Sequence, residues 1–389
     1  MSDWSFGAVG DVFVNRDDAA DAFKYSRDLL HKIDLVFGNC EGAYTDQTET
    51  APSAGWRVVS STANGEKLRE AGFDVMACAN NHTVDAGHRG LMDTLGLLQR
   101  QGIKTVGAGA NAAEAHTSVG VRHDGVNVGF LAYASVYQAG YEARDNLPGL
   151  AAMRIHSHYY IPDGDAYGRV EPGAPPTVRT VPFPEDLERL RISIADAKKV
   201  YDVVIVSFHM GQASLPAIMT QYEFVLARSA VDFGADVVVG HHHHFLRGIE
   251  IYRGRPIFYG LGHFVFDLPG LGSALDAAEL SRLRARGEYA IYPREGYPLS
   301  PFHADARMTM VAICNFRGRD ILAAGFFPCL INKDNQAVPL QMKGDQARRL
   351  TSYVESIGND AGLTTRYETA ELLPGLEGIR IVTKKVHLS

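Results

Sequence analysis

Short apolar runs alternate along the chain with longer stretches in which Leu, Ile, Val and Ala recur every three or four positions. The short runs read as buried strands and the longer stretches as amphipathic helices. Strands are predicted at Phe6–Val9, Leu35–Phe37, Val75–Ala79, Lys104–Val106, Val126–Tyr133, Val203–Phe208, Val237–Val239 and Pro256–Tyr259. Helices are predicted over 17–32, 65–71, 88–101, 184–200 and 217–233. This alternation is the pattern of α/β layering, with helices covering the sheet faces.

Two stretches break the rhythm. Residues 140–184 are rich in Gly, Pro, Tyr and His, including Tyr159, Tyr160, Pro172, Pro175 and Pro176. The stretch is too long for an ordinary connection and reads either as a lid-like insertion near a binding site or as a surface excursion. Residues 268–305 form a second irregular segment carrying Arg282, Arg284, Arg286, Arg294 and Glu295. Beyond it, strands at Met308–Asn315 and Ile321–Pro328 and a helix at Gln346–Ile357 extend the same fold over 306–389, so that 1–389 reads as one domain.

With 389 residues, 46% hydrophobic and 21% charged, the chain is excluded from the disordered, collagenous and disulfide-scaffold classes. A net charge of −7 without a long Lys/Arg run argues against nucleic acid or an anionic membrane as partner. Cys40, Cys78, Cys314 and Cys329 form no CxxC pair and sit in apolar stretches, so buried free thiols and a reducing compartment are expected. The start, Met1-Ser-Asp-Trp-Ser-Phe, lacks the regions of a secretory signal, and no apolar run approaches a membrane span. A soluble, cytoplasmic protein is the expectation. What stands out is 15 histidines, four of them consecutive.

Five predicted strands lead directly into polar donors: Gly10-Asp11; Gly38-Asn39-Cys40-Glu41-Gly42; Asn80-Asn81-His82-Thr83-Val84-Asp85; His209-Met210-Gly211; and Gly240-His241-His242-His243-His244. Residues at the carboxyl ends of strands converge on one edge of an open α/β sheet, where such folds build their sites. Singly, each has another reading: Asp11 as a helix cap, Glu41 as a surface carboxylate, Asn80 and Asn81 as turn residues, His209 as a core histidine. The histidine run lies inside a strand-to-loop transition rather than at a terminus, and His242-x-His244 can present two ring nitrogens on one side of a loop, a geometry suited to divalent metals. Jointly, the five ends offer what a two-metal site needs, with Glu41 as candidate bridge between ions roughly 3.5–4 Å apart. Such a pair lowers the pKa of a shared water and makes a hydroxide nucleophile without a protein nucleophile. No Gly-x-Ser-x-Gly elbow and no phosphate-binding glycine loop competes.

The order Gly10-Asp11, Asn39-x-Glu41, Ala79-Asn80-Asn81-His82-Thr83-Val84-Asp85, His209-x-Gly211, Gly240-His241-His242-x-His244 and Gly260-Leu261-Gly262-His263-Phe264-Val265-Phe266-Asp267 resembles the CapA family over about residues 5–270. That family is associated with poly-gamma-glutamate capsule synthesis and belongs to the calcineurin-like metallophosphatase fold. The resemblance implies a four-layer α/β/β/α sandwich and two divalent metal ions, Mn, Zn or Fe, held by Asp11, Glu41, Asn81, His209, His242 and His244. It also implies that His82 protonates a leaving group. Asp85 would hold the His82 ring in one tautomer, with helix capping as its alternative. Asn39, His241, His243 and His263 would orient the loops or face substrate. The chain departs from the pattern at three places. Asp-x-His is here Asp11-Val12-Phe13, which removes a ligand from one metal position; Met210-Gly211-Gln212 replaces the usual Trp-Gly and later Glu; and Leu261-Gly262-His263 adds an imidazole where Asn is usual. The family's capsule proteins usually carry a membrane segment, and its lack here weighs against a polymer made at the cell surface.

These readings predict a soluble metal-dependent hydrolase that attacks an amide, ester or phosphoester of a small polar molecule. Arg154, Arg169 and Arg286 are candidate clamps for a carboxylate or phosphate. The alternatives are a non-catalytic component that binds polyglutamate and a plain phosphatase or phosphodiesterase, since fold alone does not choose. The sequence leaves the oligomeric state open, a homo-oligomer included.

Overall fold

The computed structural model describes residues 3–160, 176–213, 217–287 and 290–382. Strands β1 (Asp3–Phe13), β2 (Leu35–Cys40), β3 (Val75–Ala77) and β4 (Lys104–Val106) pair in parallel, in that order. The chain then builds a six-stranded second sheet from β5 (Val119–His123), β6 (Val126–Ala134), β7 (Val203–His209), β8 (Val237–His241), β9 (Ile249–Tyr252) and β10 (Arg255–Phe258), in the order β9-β10-β8-β7-β6-β5. It returns to the first sheet with β11 (His263–Phe266), β12 (Met308–Arg317), β13 (Asp320–Ile331), β14 (Arg366–Leu373) and β15 (Leu376–Val382).

The two sheets face each other across one apolar core. Phe37 of β2 and Phe130 of β6 stack with ring centroids 5.8 Å apart, and Phe6 of β1 meets the same Phe130 ring at 6.1 Å. Helices cover the outer faces. Helix α1 (Gly87–Arg100) buries Leu91, Leu95 and Leu98 and lies along β4. Helices α2 (Pro184–Val200) and α3 (Gln221–Asp232) bury Leu190, Ile194, Leu226 and Ala230 against Val204, Val206 and Val238 in a second core. Helix α4 (Asp345–Asp360) packs Leu350 and Val354 against the first sheet near β13. The fold is therefore α/β/β/α.

Several expectations shift. The 17–32 stretch is not one helix but a tight turn at Ala19–Phe23 and a single helical turn at Arg27–Leu30. Bonds such as Ser26 N–H to Phe23 C=O run over three residues, and apolar spacings of three and four suit such turns as well as a helix. The 65–71 stretch likewise divides between Thr62–Gly65 and Lys67–Glu70. In the irregular 268–305 segment a helix forms at Ala277–Ala285. Of the 140–184 stretch, a hairpin pairs Ile155–Tyr160 with Thr177–Pro182, while Arg169, Pro172 and Pro175 lie outside the described residues. Among the described residues, no helix is long and apolar enough to cross a membrane.

Strand β1 is longer than its apolar run. It continues past a bulge after Ala8, where the partner strand on one side changes from β12 to β11. Gly10 permits that crossing, since a Cβ there would stand 1.9 Å from Gly262 O. Gly240 on β8 meets Tyr259 O in the same way, at 2.0 Å. Both glycines precede site residues and let the 259–263 segment run against both strands.

Candidate metal centre

The donor residues do not share one sheet edge. Asp11, Glu41 and Asn81 follow from β1, β2 and β3 of the first sheet, whereas His209 and the 241–244 loop end β7 and β8 of the second. The site lies where the carboxyl ends of the two facing sheets meet. Hydrophobic periodicity marks strand ends but not the sheet to which each strand belongs.

Asp11 and Glu41 are fully buried, which disposes of the cap and surface-carboxylate readings. Two groups of donors form around Glu41. Glu41, His209 and His242 bring ligand atoms within 4.8 Å of one another, and Asp11, Glu41 and His244 do the same. Asn81 Oδ1 accepts from His209 Nε2 at 2.6 Å, beside the first group. Asn39 Nδ2 donates to Asp11 Oδ1 at 2.9 Å and stands 3.3 Å from His209 Nδ1, so Nε2 is the nitrogen turned toward Asn81 and Glu41. Asn80 fastens this arrangement from behind by donating to Asn39 Oδ1 at 3.2 Å and to Cys40 O at 2.8 Å.

The histidine loop is built under backbone strain. His242 and His244 adopt φ of +93° and +58°, a region that costs non-glycine residues about 1–3 kcal/mol each. This alternation points His242 and His244 at the carboxylates and sends His243 away, to Glu223 at 2.7 Å. His241 is buried with Nδ1 3.6 Å from Asp11 Oδ1, and His263 lies beneath His244 against Phe302. His241, His243 and His263 are at most 1% exposed, so none of the three faces a substrate from the open side.

Burial and mutual charge shape the group. Burial pushes the Glu41 carboxyl well above the ordinary range, and the Asp11 charge adds to it. For Asp11, burial works upward as well, but His241 and His244 hold it well below. Burial and the neighbouring imidazoles keep His209 and His242 far below their usual value, in the neutral form that binds metals. His263 is pushed down to about 3, mainly by burial.

Asp85 caps no helix. Its Oδ2 lies 2.8 Å from His82 Nδ1 and also accepts the Val58 N–H, while Oδ1 accepts the Tyr141 hydroxyl at 2.8 Å. A carboxylate receiving three donors makes His82 Nδ1 a donor and leaves Nε2 for a substrate. Arg154 is committed elsewhere: it pairs with buried Asp186 at 2.8 Å and covers Phe183. Arg286 is exposed at the end of Ala277–Ala285, and Arg169 lies outside the described residues.

Three contributors were not anticipated. Glu223 and Tyr141 come from segments distant in sequence, and Arg16 pairs with fully buried Asp267 beneath the site. Thr220-x-x-Glu223 is visible in the sequence as a capping box, but that signal indicates a helix start, not a buried partner for His243.

The family model described as "Bacterial capsule synthesis protein PGA_cap" matches residues 5–268, and the chain belongs to that family. It is 31% identical over 271 residues to the PGA biosynthesis protein CapA of Bacillus subtilis (strain 168), covering 67% of this chain and 62% of that protein. A "probable polyglutamine synthesis accessory protein" of Mycobacterium tuberculosis is 35% identical over 206 residues, covering 51% of this chain and 46% of that one. The chain thus matches less than two thirds of the length of either. Among solved structures, the calcineurin-like phosphoesterase YfkN from Bacillus subtilis aligns over 92% of this chain and 97% of its own, at 12% identity and a TM-score of 0.38.

Proposed function

We propose that the chain is a metal-dependent hydrolase acting on an amide, ester or phosphoester through two divalent cations of Mn, Zn or Fe type. The observation that carries this reading is the state of Glu41. Both of its carboxylate oxygens are buried without a hydrogen-bond partner, and the residue is common to both donor groups. His242 Nδ1 is orphaned in the same way, and Asp11 Oδ2 faces only His244 Nδ1, at 3.2 Å. Unpaired buried groups cost about 1–3 kcal/mol each, and a cation pair relieves several at once. The set of carboxylates, imidazoles and an amide oxygen fits such ions.

Asp11, Glu41, Asn81, His209, His242 and His244 would hold the pair, which when bound supplies Lewis acidity and brings the pKa of a water toward neutrality. The chain's own residues do the rest. His82 offers a proton from Nε2 to the departing atom, and Asp85 and Tyr141 fix its ring for that task. Asn39 and Asn80 keep the carboxylate end rigid. Four buried free cysteines support a reducing, cytoplasmic setting.

A second reading is an accessory, polyglutamate-binding component; the name of the mycobacterial relative, a probable polyglutamine synthesis accessory protein, supports its accessory part. The His82–Asp85–Tyr141 chain, running from a partly exposed imidazole to two buried partners, orients a proton donor and favours hydrolysis. Metal analysis separates the outcomes. The native protein should hold up to two ions, and Glu41→Ala with His242→Ala should lose them; full occupancy in that variant would sink the site. His82→Ala should keep metal and lose most turnover of any amide, ester or phosphoester found by screening.

A further inference from the structure

A cavity of about 420 Å³ opens beside the donor groups, with His82 and His244 on its inner wall. The rest of the lining is unlike that of a site for a small polar molecule. Trp56, Phe266, Phe302 and Leu271 dominate it, and apart from His82 and His244 no described lining residue is ionisable. Phe266 and Phe302 each stand with ring centroids 4.9 Å from His244, which makes the wall continuous with the donors. Trp56 is 43% exposed at this cavity although its indole is a large apolar surface, as befits a group completed by a ligand. An apolar cavity of roughly 150 Å³ already holds benzene, so this one takes a larger aryl or branched aliphatic group.

Resting on the hydrolase reading, we propose that the leaving-group side of the substrate carries a bulky apolar group that fills this cavity. The inference follows from the place of His82. The group that protonates the departing atom lines the cavity, so the fragment that departs occupies it. In the hydrolysis, the oxygen of water bonds to the acyl or phosphoryl centre and the bond to the departing oxygen or nitrogen breaks. That atom keeps the electron pair and takes the proton from His82, and the proton lost by water restores the acid. The free carboxylates of a polyglutamate chain would meet no Lys or Arg among the described lining residues and would lose their water against aromatic walls. The structure therefore assigns the cavity to an uncharged, hydrophobic fragment.

Two measurements test this on the full chain. In the first, 4-tert-butylphenol is titrated into protein with and without metal, read by tryptophan emission, which reports on Trp56 because Trp4 is buried against Phe316. Saturable binding is expected in both forms, with at least tenfold weakening in Ala290→Phe, which narrows the cavity, and no response to glutarate. Equal binding in Ala290→Phe, or glutarate competing for the same place, overturns the proposal. In the second, the metal-loaded enzyme is given matched substrates whose leaving groups are 3,3-dimethylbutanol or 4-hydroxybutanoate, alcohols of similar basicity. A tenfold or greater kcat/KM preference for the apolar one, lost in Ala290→Phe, is expected; equal or reversed preference overturns the proposal. A chain that ignores the phenol while cleaving both substrates overturns the cavity assignment alone. A chain that binds metal and the phenol but cleaves nothing overturns the hydrolase reading and, with it, the assignment of the bound fragment as a leaving group.

Discussion

Glu223 Oε1 lies 2.7 Å from His243 Nε2, and neither side chain reaches solvent. Burial would raise the Glu223 carboxyl, but His243 and Thr220 hold it below the ordinary value, and the same carboxylate closes the capping box of α3. This contact sets the direction of the strained loop whose flanking residues face the carboxylates. Glu223→Ala should cost about 1–3 kcal/mol in urea unfolding, because it leaves the buried, neutral His243 ring unpaired. Glu223→Gln keeps the volume; it should fold and weaken metal affinity by roughly 10–100-fold in chelator competition. Unchanged affinity in Glu223→Gln would detach His243 from the site.

Asp85 receives His82, Val58 and Tyr141 together. Asp85→Asn should leave metal content intact while lowering turnover on the order of 100-fold or more, the range in which a positioned general acid contributes. Tyr141→Phe removes one of the three donors and should lower turnover less, with a stability cost of about 1–2 kcal/mol. A larger kinetic effect from Tyr141→Phe than from Asp85→Asn would contradict the assigned order.

The Phe37–Phe130 stack joins the two sheets at an interplanar angle of 5°. Phe130→Ala should destabilise by about 3–5 kcal/mol through lost burial and a cavity. Chemical unfolding followed by fluorescence and by far-ultraviolet dichroism should shift to the same extent, since the core is common to both sheets.

His116 packs near Tyr133, away from the metal centre, and burial with the Arg189 charge pushes its pKa down to about 4. The unfolded value is about 6.5, so between those limits the unfolded chain binds the extra proton. Stability from this residue is complete above about pH 6.5 and declines as the pH falls toward 4, by up to about 3 kcal/mol. His116→Gln should therefore flatten the pH dependence of the unfolding midpoint between pH 6.5 and 4.5; an unaltered slope would place the acid sensitivity elsewhere.

The long helices were legible wherever an apolar stripe ran uninterrupted. The periodicity of 184–200 matches Pro184–Val200, and that of 88–101 nearly matches Gly87–Arg100. The helix at Ala277–Ala285 buries no residue, so it has no stripe to read; only its capping box, Asp276 with Glu279, marks it in the sequence. The hairpin of β14 and β15 shows weak alternation and lies at a sheet edge, where the solvent side takes almost any residue. The donors were legible because each lies at or just beyond the carboxyl end of an apolar strand run. The division of those strands between two sheets was not, since it depends on which apolar faces meet. The partnership of Tyr141 with Asp85 spans 56 residues and leaves no local trace.

The division of donors between sheets has a mechanical side. Asp11 and Glu41 ride on one sheet, while His209, His242 and His244 ride on the other. An ion gripped from both would act as a rivet through the sandwich, placed at the rim where the layers would otherwise first gape. Starving the protein of metal should then quicken amide hydrogen exchange along β2 and β7 together, and refilling it should slow both at once. Cofactor supply and resistance to unravelling would be one variable, set by the same donor side chains.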